Sequence, residues 1–102
     1  MNQYLLHGNL KGQPGHGPQL ASILVEASKL VSTAKGCKLY VVSKYPNEAD
    51  TVFITEIWDS KEDHDHSLKV EGVRELIMKA MPILDGTPAK GQELEVLGGL
   101  GI

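Results

Sequence analysis

An extended stretch at residues 51–58 (TVFITEIW) carries apolar side chains on both of its faces, and this feature most constrains the fold. Successive side chains of a strand point to opposite sides of a sheet. The residues on one face are Val52, Ile54 and Trp58, and those on the other are Phe53 and Ile57. The stretch at 37–44 (CKLYVVSK) is apolar on both faces in the same way. A sheet built from such strands needs cover on both sides, because large apolar patches are rarely left exposed.

The remaining segments alternate between strand-like and helical patterns. Ser60 is expected to cap a helix, with Asp63 three residues later. Strands are predicted at 4–11, 37–44, 51–58 and 92–100, a polar loop at 45–50, and helices at 18–34, 60–69 and 73–81. The order β-α-β-β-α-β predicts an α+β fold of the ferredoxin-like split βαβ type. Its four-stranded antiparallel sheet has the helices on one face, and the first and third strands are central neighbours.

A chain of 102 residues, 41% of them hydrophobic, suffices for one domain, which we expect to span residues 1–102. Its helices can cover only one face of the sheet. The second apolar face therefore predicts a homodimer in which two sheets pack against each other.

Charge and hydropathy exclude several classes of partner. The net charge is −3 and the basic residues are scattered, so no nucleic-acid partner is expected. No stretch is long and apolar enough for a signal peptide or a membrane span, so no membrane partner is expected and a cytoplasmic location is predicted. A lone cysteine, Cys37, cannot form an internal disulfide.

Two histidines close together in the sequence, His64 and His66, invite comparison with a metal site. Residues two apart on a helix point in nearly opposite directions, so they are not expected to bind one ion. The glycines at 8–17 (GNLKGQPGHG) match neither common phosphate-binding motif. Neither a metal nor a cofactor is predicted.

Polar and amphipathic residues on the two central strands and the second helical region form a candidate small-molecule site. They are His7, Asn9, Glu56, Trp58, His64, Met78 and Met81. Each pair two apart on a strand shares a face, so all four strand residues could meet beneath the helices. The competing interpretation is structural, with Trp58 as a core anchor, the methionines as gap fillers and Glu56 paired with a lysine across the dimer.

The stretch at 53–84, FITEIWDSKEDHDHSLKVEGVRELIMKAMPIL, resembles the antibiotic biosynthesis monooxygenase family, also called quinol-monooxygenase-like, of the dimeric α+β barrel superfamily. The segments HGNLKGQPG (7–15), GCKLYVVSKYP (36–46) and LGGLG (97–101) extend the likeness over nearly the whole chain. The resemblance implies the same ferredoxin-like fold and the same homodimer.

The resemblance also implies an enzyme that oxidises a quinol or phenolic aromatic molecule with molecular oxygen and without a cofactor. His64 or His7 would be the base, Asn9 would hold the substrate oxygen and Trp58 would form a wall of the site. Two alternatives use the same scaffold: a non-catalytic small-molecule-binding or stress-response protein, and a carbonyl isomerase.

Overall fold

The computed structural model describes residues 2–88 and 90–102. In chain order the elements are β1 (Tyr4–Lys11), α1 (Gly17–Val31), β2 (Cys37–Tyr45), β3 (Glu48–Trp58), α2 (Lys61–Ser67), α3 (Val73–Ala80), a short 3-10 helix (Met81–Ile83) and β4 (Gln92–Glu95). The strands form one antiparallel sheet in the order β2-β3-β1-β4. The predicted α+β, ferredoxin-like fold is confirmed, with β1 and β3 as central neighbours.

The pairing of β1 with β3 decides which side chains face the helices. Tyr4 lies opposite Trp58, and Leu10 lies opposite Val52. Residues directly opposite each other in an antiparallel ladder project from the same face. Leu10 and Val52 belong to a core with the apolar residues of α1 and α3, so this face is the one that the helices cover. Tyr4 and Trp58 pack in a second, smaller core at the other end of the strands.

The opposite side, which we call the open face, is formed by the alternate residues of each strand. Its apolar members include Leu5 on β1, Leu39 and Val41 on β2, Phe53 and Ile57 on β3, and Leu94 on β4. Val41, near the middle of β2, is 44% exposed. The sequence-based prediction that both faces of the sheet carry apolar side chains is therefore confirmed.

The start of α2 has the helix cap predicted from the sequence. The backbone N–H of Asp63 donates to the Ser60 hydroxyl at 3.1 Å, so Ser60 caps the helix as expected. Gly72 adopts φ = 91°, a left-handed conformation that separates α2 from α3.

Several predicted boundaries are wrong, and the first helix ends at Val31 instead of at residue 34. The polar loop at 45–50 is a tight turn, because Tyr45 pairs with Glu48 and only Pro46 and Asn47 lie between them. The last strand ends at Glu95, because its partner residue, Tyr4, is the first of β1. Among the described residues, no helix has both the length and the hydropathy needed to cross a membrane.

Candidate functional site

A buried carboxyl group lies at the end of β3 beneath the helices. The Trp58 indole N–H donates to Glu56 Oε1 at 3.0 Å, and the two side chains share a face because they are two residues apart. Trp58 is 0% exposed and Glu56 is 7% exposed. Burial raises the pKa of the Glu56 carboxyl above its ordinary value, while the Trp58 hydrogen bond and the charge of His64 act in the opposite direction.

His64, on α2, lies against this pair. Its Nε2 is 3.9 Å from Glu56 Oε1, and its Nδ1 is 3.0 Å from Asp65 Oδ1. An ionised carboxylate only accepts hydrogen bonds, so with Asp65 ionised Nδ1 carries the hydrogen. A neutral His64 then presents the lone pair of Nε2 towards Glu56. The imidazole is thus oriented so that the atom able to take up a proton is the inward one.

Two tyrosines complete this group, and the sequence did not lead us to expect them. The Tyr4 ring lies 5.7 Å from the His64 ring, and its hydroxyl donates to Glu93 Oε2 on β4 at 2.9 Å. Tyr40 lies opposite Glu56 in the sheet. Burial and the nearby Glu56 carboxyl raise the pKa of Tyr40. The sequence did contain a signal for Tyr4. Tyr4 lies two residues before Leu6 and six before Leu10, so the alternation of a strand places its side chain on the same face as these two apolar residues.

The prediction that the four strand residues of the candidate site lie together beneath the helices is wrong. His7 and Asn9 lie on the open face, since their ladder partners are Thr55 and Phe53 rather than Glu56 and Trp58. His7 Nδ1 is 3.0 Å from Thr55 Oγ1, and its ring stacks on Phe53 at 6.1 Å. The two candidate catalytic histidines, His7 and His64, are therefore separated by the sheet.

The methionines also lie away from His64. Met81 follows α3 directly and lines a cavity of about 200 Å³ at the Leu10 end of β1, whereas Met78 lies on the exposed surface of α3. Leu10 and Tyr4 are six residues apart on one strand, roughly 20 Å. All side chains around this cavity are apolar: Leu10, Ile23, Leu24, Ala27, Leu76, Ile77, Ala80, Met81, Leu84 and Pro88. The helix-covered side of the sheet thus holds a polar cluster at one end and an apolar cavity at the other.

Within residues 2–88 and 90–102, no three His, Cys, Asp or Glu side chains come close enough together to hold a metal ion. The two α2 histidines do not share one environment either. His64 turns inward to the Trp58 ring at 6.0 Å, whereas His66 is exposed.

Comparisons with known proteins agree with this fold. A candidate antibiotic biosynthesis monooxygenase from Chloroflexus aurantiacus J-10-fl has 36% sequence identity and a TM-score of 0.85, with 98% of each chain covered. A second, from Caulobacter crescentus CB15, has 16% identity and a TM-score of 0.83, covering 95% of this chain and 92% of its own. A third, from Nitrosomonas europaea, has 7% identity and a TM-score of 0.86, covering 94% and 91%. The last two identities are low enough that they support the fold alone.

No curated protein matches the chain by sequence. The family model described as antibiotic biosynthesis monooxygenase matches residues 4–78, a span that includes both central strands and the Glu56, Trp58 and His64 cluster. The chain belongs to the antibiotic biosynthesis monooxygenase family.

Proposed function

We propose that the protein is a cofactor-independent monooxygenase that oxidises a quinol or phenolic aromatic molecule with molecular oxygen. Membership of the family supports a monooxygenase-like role in general. The observation that carries the finer proposal is the buried Glu56 carboxyl, 3.9 Å from the inward nitrogen of His64. Ionisable groups with perturbed surroundings are often found at functional sites.

The proposed chemistry needs only a base and a dry, oriented environment. His64 Nε2 takes the proton of the substrate hydroxyl, and the resulting phenolate gives an electron to oxygen. A carbon–oxygen bond forms and yields a hydroperoxide. Loss of the ring C–H proton and of hydroxide, together one water molecule, then leaves a carbonyl. One oxygen atom remains in the product and the other leaves as water, so no external reductant is needed.

Oxygen consumption with menadiol, compared with its uncatalysed autoxidation, tests this proposal. We expect the protein to exceed the background, and His64→Gln to lower that excess by at least about 100-fold, the usual size of a general-base contribution. His66→Gln is the matched control, because this exposed histidine lies on the same helix. His7→Gln tests the open face.

The outcomes separate the two faces of the sheet. A loss of activity with His7→Gln alone would move the chemistry to the open face, where Asn9 also lies, and would overturn the role of His64. An excess rate that none of the three substitutions changes would overturn proton transfer by histidine. The absence of any excess rate would overturn the proposed oxidation of this quinol.

A non-catalytic small-molecule-binding role is the second candidate. One observation favours it: the cavity beside Met81 offers apolar contact but no polar side chain for chemistry. A carbonyl isomerase would leave oxygen untouched and would exchange a proton next to a carbonyl group. Oxygen consumption and proton exchange into solvent are measured on the same samples. An oxygenase shows the first, an isomerase shows only the second, and a non-catalytic binding protein shows neither.

We also infer that the working unit is a homodimer joined through the open faces of two sheets. The support is the apolar composition of that face, which includes Leu39, Val41, Phe53 and Ile57 on β2 and β3. In such a dimer His7 would lie at the interface, and the helix-covered side would remain available to a ligand.

A further inference from the structure

His7 occupies a central position on the open face of the sheet. It lies in the middle of β1, a strand paired on both sides, and its ladder partners are Thr55 on β3 and the neutral Gln92 on β4. His7 Nδ1 is 3.0 Å from Thr55 Oγ1, and the imidazole stacks on the Phe53 ring with 6.1 Å between the centroids. A titratable ring is therefore held in place within the surface through which we infer that two copies of the chain associate.

The charged side chains of β1 and of the β4 region do not offer His7 a carboxylate. Lys11, on the same face of β1, has its Nζ 3.9 Å from Asp85 Oδ2. Glu93 of β4 projects from the helix-covered face, because it alternates with the open-face positions, and its Oε1 is 3.7 Å from Lys90 Nζ. The charge that β1 itself adds to the open face is positive, and it disfavours a second positive charge at His7.

Strands β3 and β2 surround His7 with neutral groups. The Tyr45 phenol packs edge-on against Phe53, with 5.1 Å between the ring centroids. Asp59 lies beyond the end of β3 and has its Oδ1 3.7 Å from Lys38 Nζ. In a single subunit His7 is half-buried, so water can hydrate a charged imidazole. Burial against a second copy would remove that water without supplying a negative charge.

The contact with Thr55 is compatible with both charge states of the ring. A hydroxyl group can donate or accept a hydrogen bond, whereas both nitrogens of a protonated imidazole are donors. Thr55 can therefore pair with His7 whether or not the ring is charged. The difference between the two charge states comes from the surroundings that a dimer would create.

Two-fold symmetry would double the effect of this residue. A dimer joined through the same surface of both copies contains every interface residue twice. Histidine ordinarily gains its charge near pH 6.5, so a modest fall in pH would place two positive charges in an interface with apolar surroundings. Loss of both protons would remove this cost.

We propose that association through the open faces is linked to proton binding, with His7 neutral in the dimer and its protonation favouring the monomer. The dimer is then stable above the pH at which histidine ordinarily titrates, and it weakens as the pH falls through that value. The inference rests on the proposed homodimer. It does not rest on the proposed oxidation or on His64.

Sedimentation equilibrium at pH 7.5 and pH 6.0 measures this linkage as a change in the dimer Kd. A histidine that titrates near pH 6.5 in the monomer and stays neutral in the dimer weakens association about fourfold per subunit at pH 6.0, so we expect the Kd to rise about tenfold. The net charge of −3 becomes smaller over the same range, which by itself would strengthen association. The sign of the change therefore separates His7 from general electrostatic repulsion.

Two variants assign the effect to a residue. His7→Gln keeps a side chain that can form a hydrogen bond with Thr55 but cannot titrate. We expect the Kd of this variant not to rise between pH 7.5 and pH 6.0. His16→Gln is the matched control, because His16 precedes α1 and lies outside the sheet, and it should retain the full tenfold rise.

Proton uptake gives a second measurement on the unaltered protein, so it tests the inference even where His7→Gln no longer associates. Dilution calorimetry at pH 6.5, in two buffers with different heats of ionisation, counts the protons bound on dissociation. We expect about one proton per dimer, because each of the two monomers is then about half protonated at His7. Circular dichroism at each pH establishes that the protein remains folded.

The outcomes distinguish this inference from the dimer on which it rests. A dimer whose Kd does not rise at pH 6.0, an equal rise in His7→Gln, or dissociation without proton uptake would overturn the linkage and leave the dimer intact. A monomer at both pH values would overturn the dimer and the linkage together.

Discussion

The Glu56 carboxyl illustrates how one residue links burial to proton binding. It accepts a hydrogen bond from Trp58 and lies near His64, both of which favour its ionised form. Burial acts more strongly in the other direction and raises its pKa. The folded protein therefore binds a proton at Glu56 more tightly than the unfolded chain does.

This difference predicts how stability changes with pH. Glu56 contributes fully to stability below its ordinary pKa of 4.5, and this contribution is lost as the pH rises through the higher pKa of the folded state. Glu56→Gln keeps an oxygen for the Trp58 indole but removes the titration. We expect the melting temperature of the variant, relative to the unaltered protein, to rise as the pH increases from 4 to 8.

Thermal unfolding followed by circular dichroism at a series of pH values measures this effect. Glu71→Gln, at an exposed position, should give a difference that does not change with pH. A melting-temperature difference that falls as the pH increases from 4 to 8 would mean that His64 and Trp58 outweigh burial, contrary to the prediction.

At this scale the sequence predicted which residues of one strand share a face, but not which residues of neighbouring strands do. Strand alternation correctly paired Glu56 with Trp58 and His7 with Asn9. Whether the two pairs share a face depends on the register between β1 and β3, and a shift of one residue reverses the answer. The apolar Leu6 and Leu10 on the other face of β1 were the signal that His7 points away from the core.

At the scale of elements, α2 is positioned by its N-terminal cap and by one close approach to another part of the chain. Ser60 begins the helix, and four residues later His64 faces Trp58. Asp63, from the first turn, packs against Gly36 in the turn between α1 and β2. These local contacts determine where His64 lies.

Loss of the cap should weaken the protein measurably. We expect Ser60→Ala to lower the free energy of unfolding by about 1 kcal/mol, because the N–H of Asp63 loses its acceptor. Ser22→Ala, at an exposed position inside α1, should change it by less than about 0.5 kcal/mol. Urea denaturation of both variants makes the comparison, and equal effects would contradict the assigned role of Ser60.

The approach of Asp63 to Gly36 gives a second prediction for this helix. Gly36 has φ = 82° and Gly15 has φ = 84°, so an alanine at either position is strained by roughly 1–2 kcal/mol. Only at Gly36 would the added methyl group collide with the Asp63 side chain; at Gly15 the space is open. We therefore expect Gly36→Ala to destabilise the protein more than Gly15→Ala in urea denaturation, and equal losses would contradict the close packing.

Element order and strand pairing could be predicted because hydrophobic periodicity and short connections leave few alternatives. The ends of elements could not. The turn at Pro46 and Asn47 and the end of β4 at Glu95 depend on the length of the partner strand, which is a property of the assembled sheet.

At the scale of the whole molecule, the open face predicts association. Val41 on β2 and Val25 on α1 are 44% and 42% exposed, but they lie on opposite sides of the molecule. We expect the unaltered protein to be a dimer by light scattering, and Val41→Lys to shift it to the monomer by placing a charge in the interface. Val25→Lys should leave the dimer unchanged.

A monomeric unaltered protein at micromolar concentration would contradict the dimer. Dissociation caused by Val25→Lys and not by Val41→Lys would place the interface on the helical side. Circular dichroism of both variants establishes that they remain folded, so that a change in mass reports association rather than unfolding.

Strand β3 faces the helices with its even-numbered residues from 52 to 58 and the open side with its odd-numbered ones. Insertion of a single amino acid within this strand would exchange the two sets and disturb the proposed ligand-binding surface and the proposed dimer interface together. Length variation among descendants of this sequence should therefore accumulate at the 46–47 turn and avoid the strand. The even-numbered residues of β3 should diverge in sequence when the ligand changes. The odd-numbered residues should diverge when the oligomeric state changes.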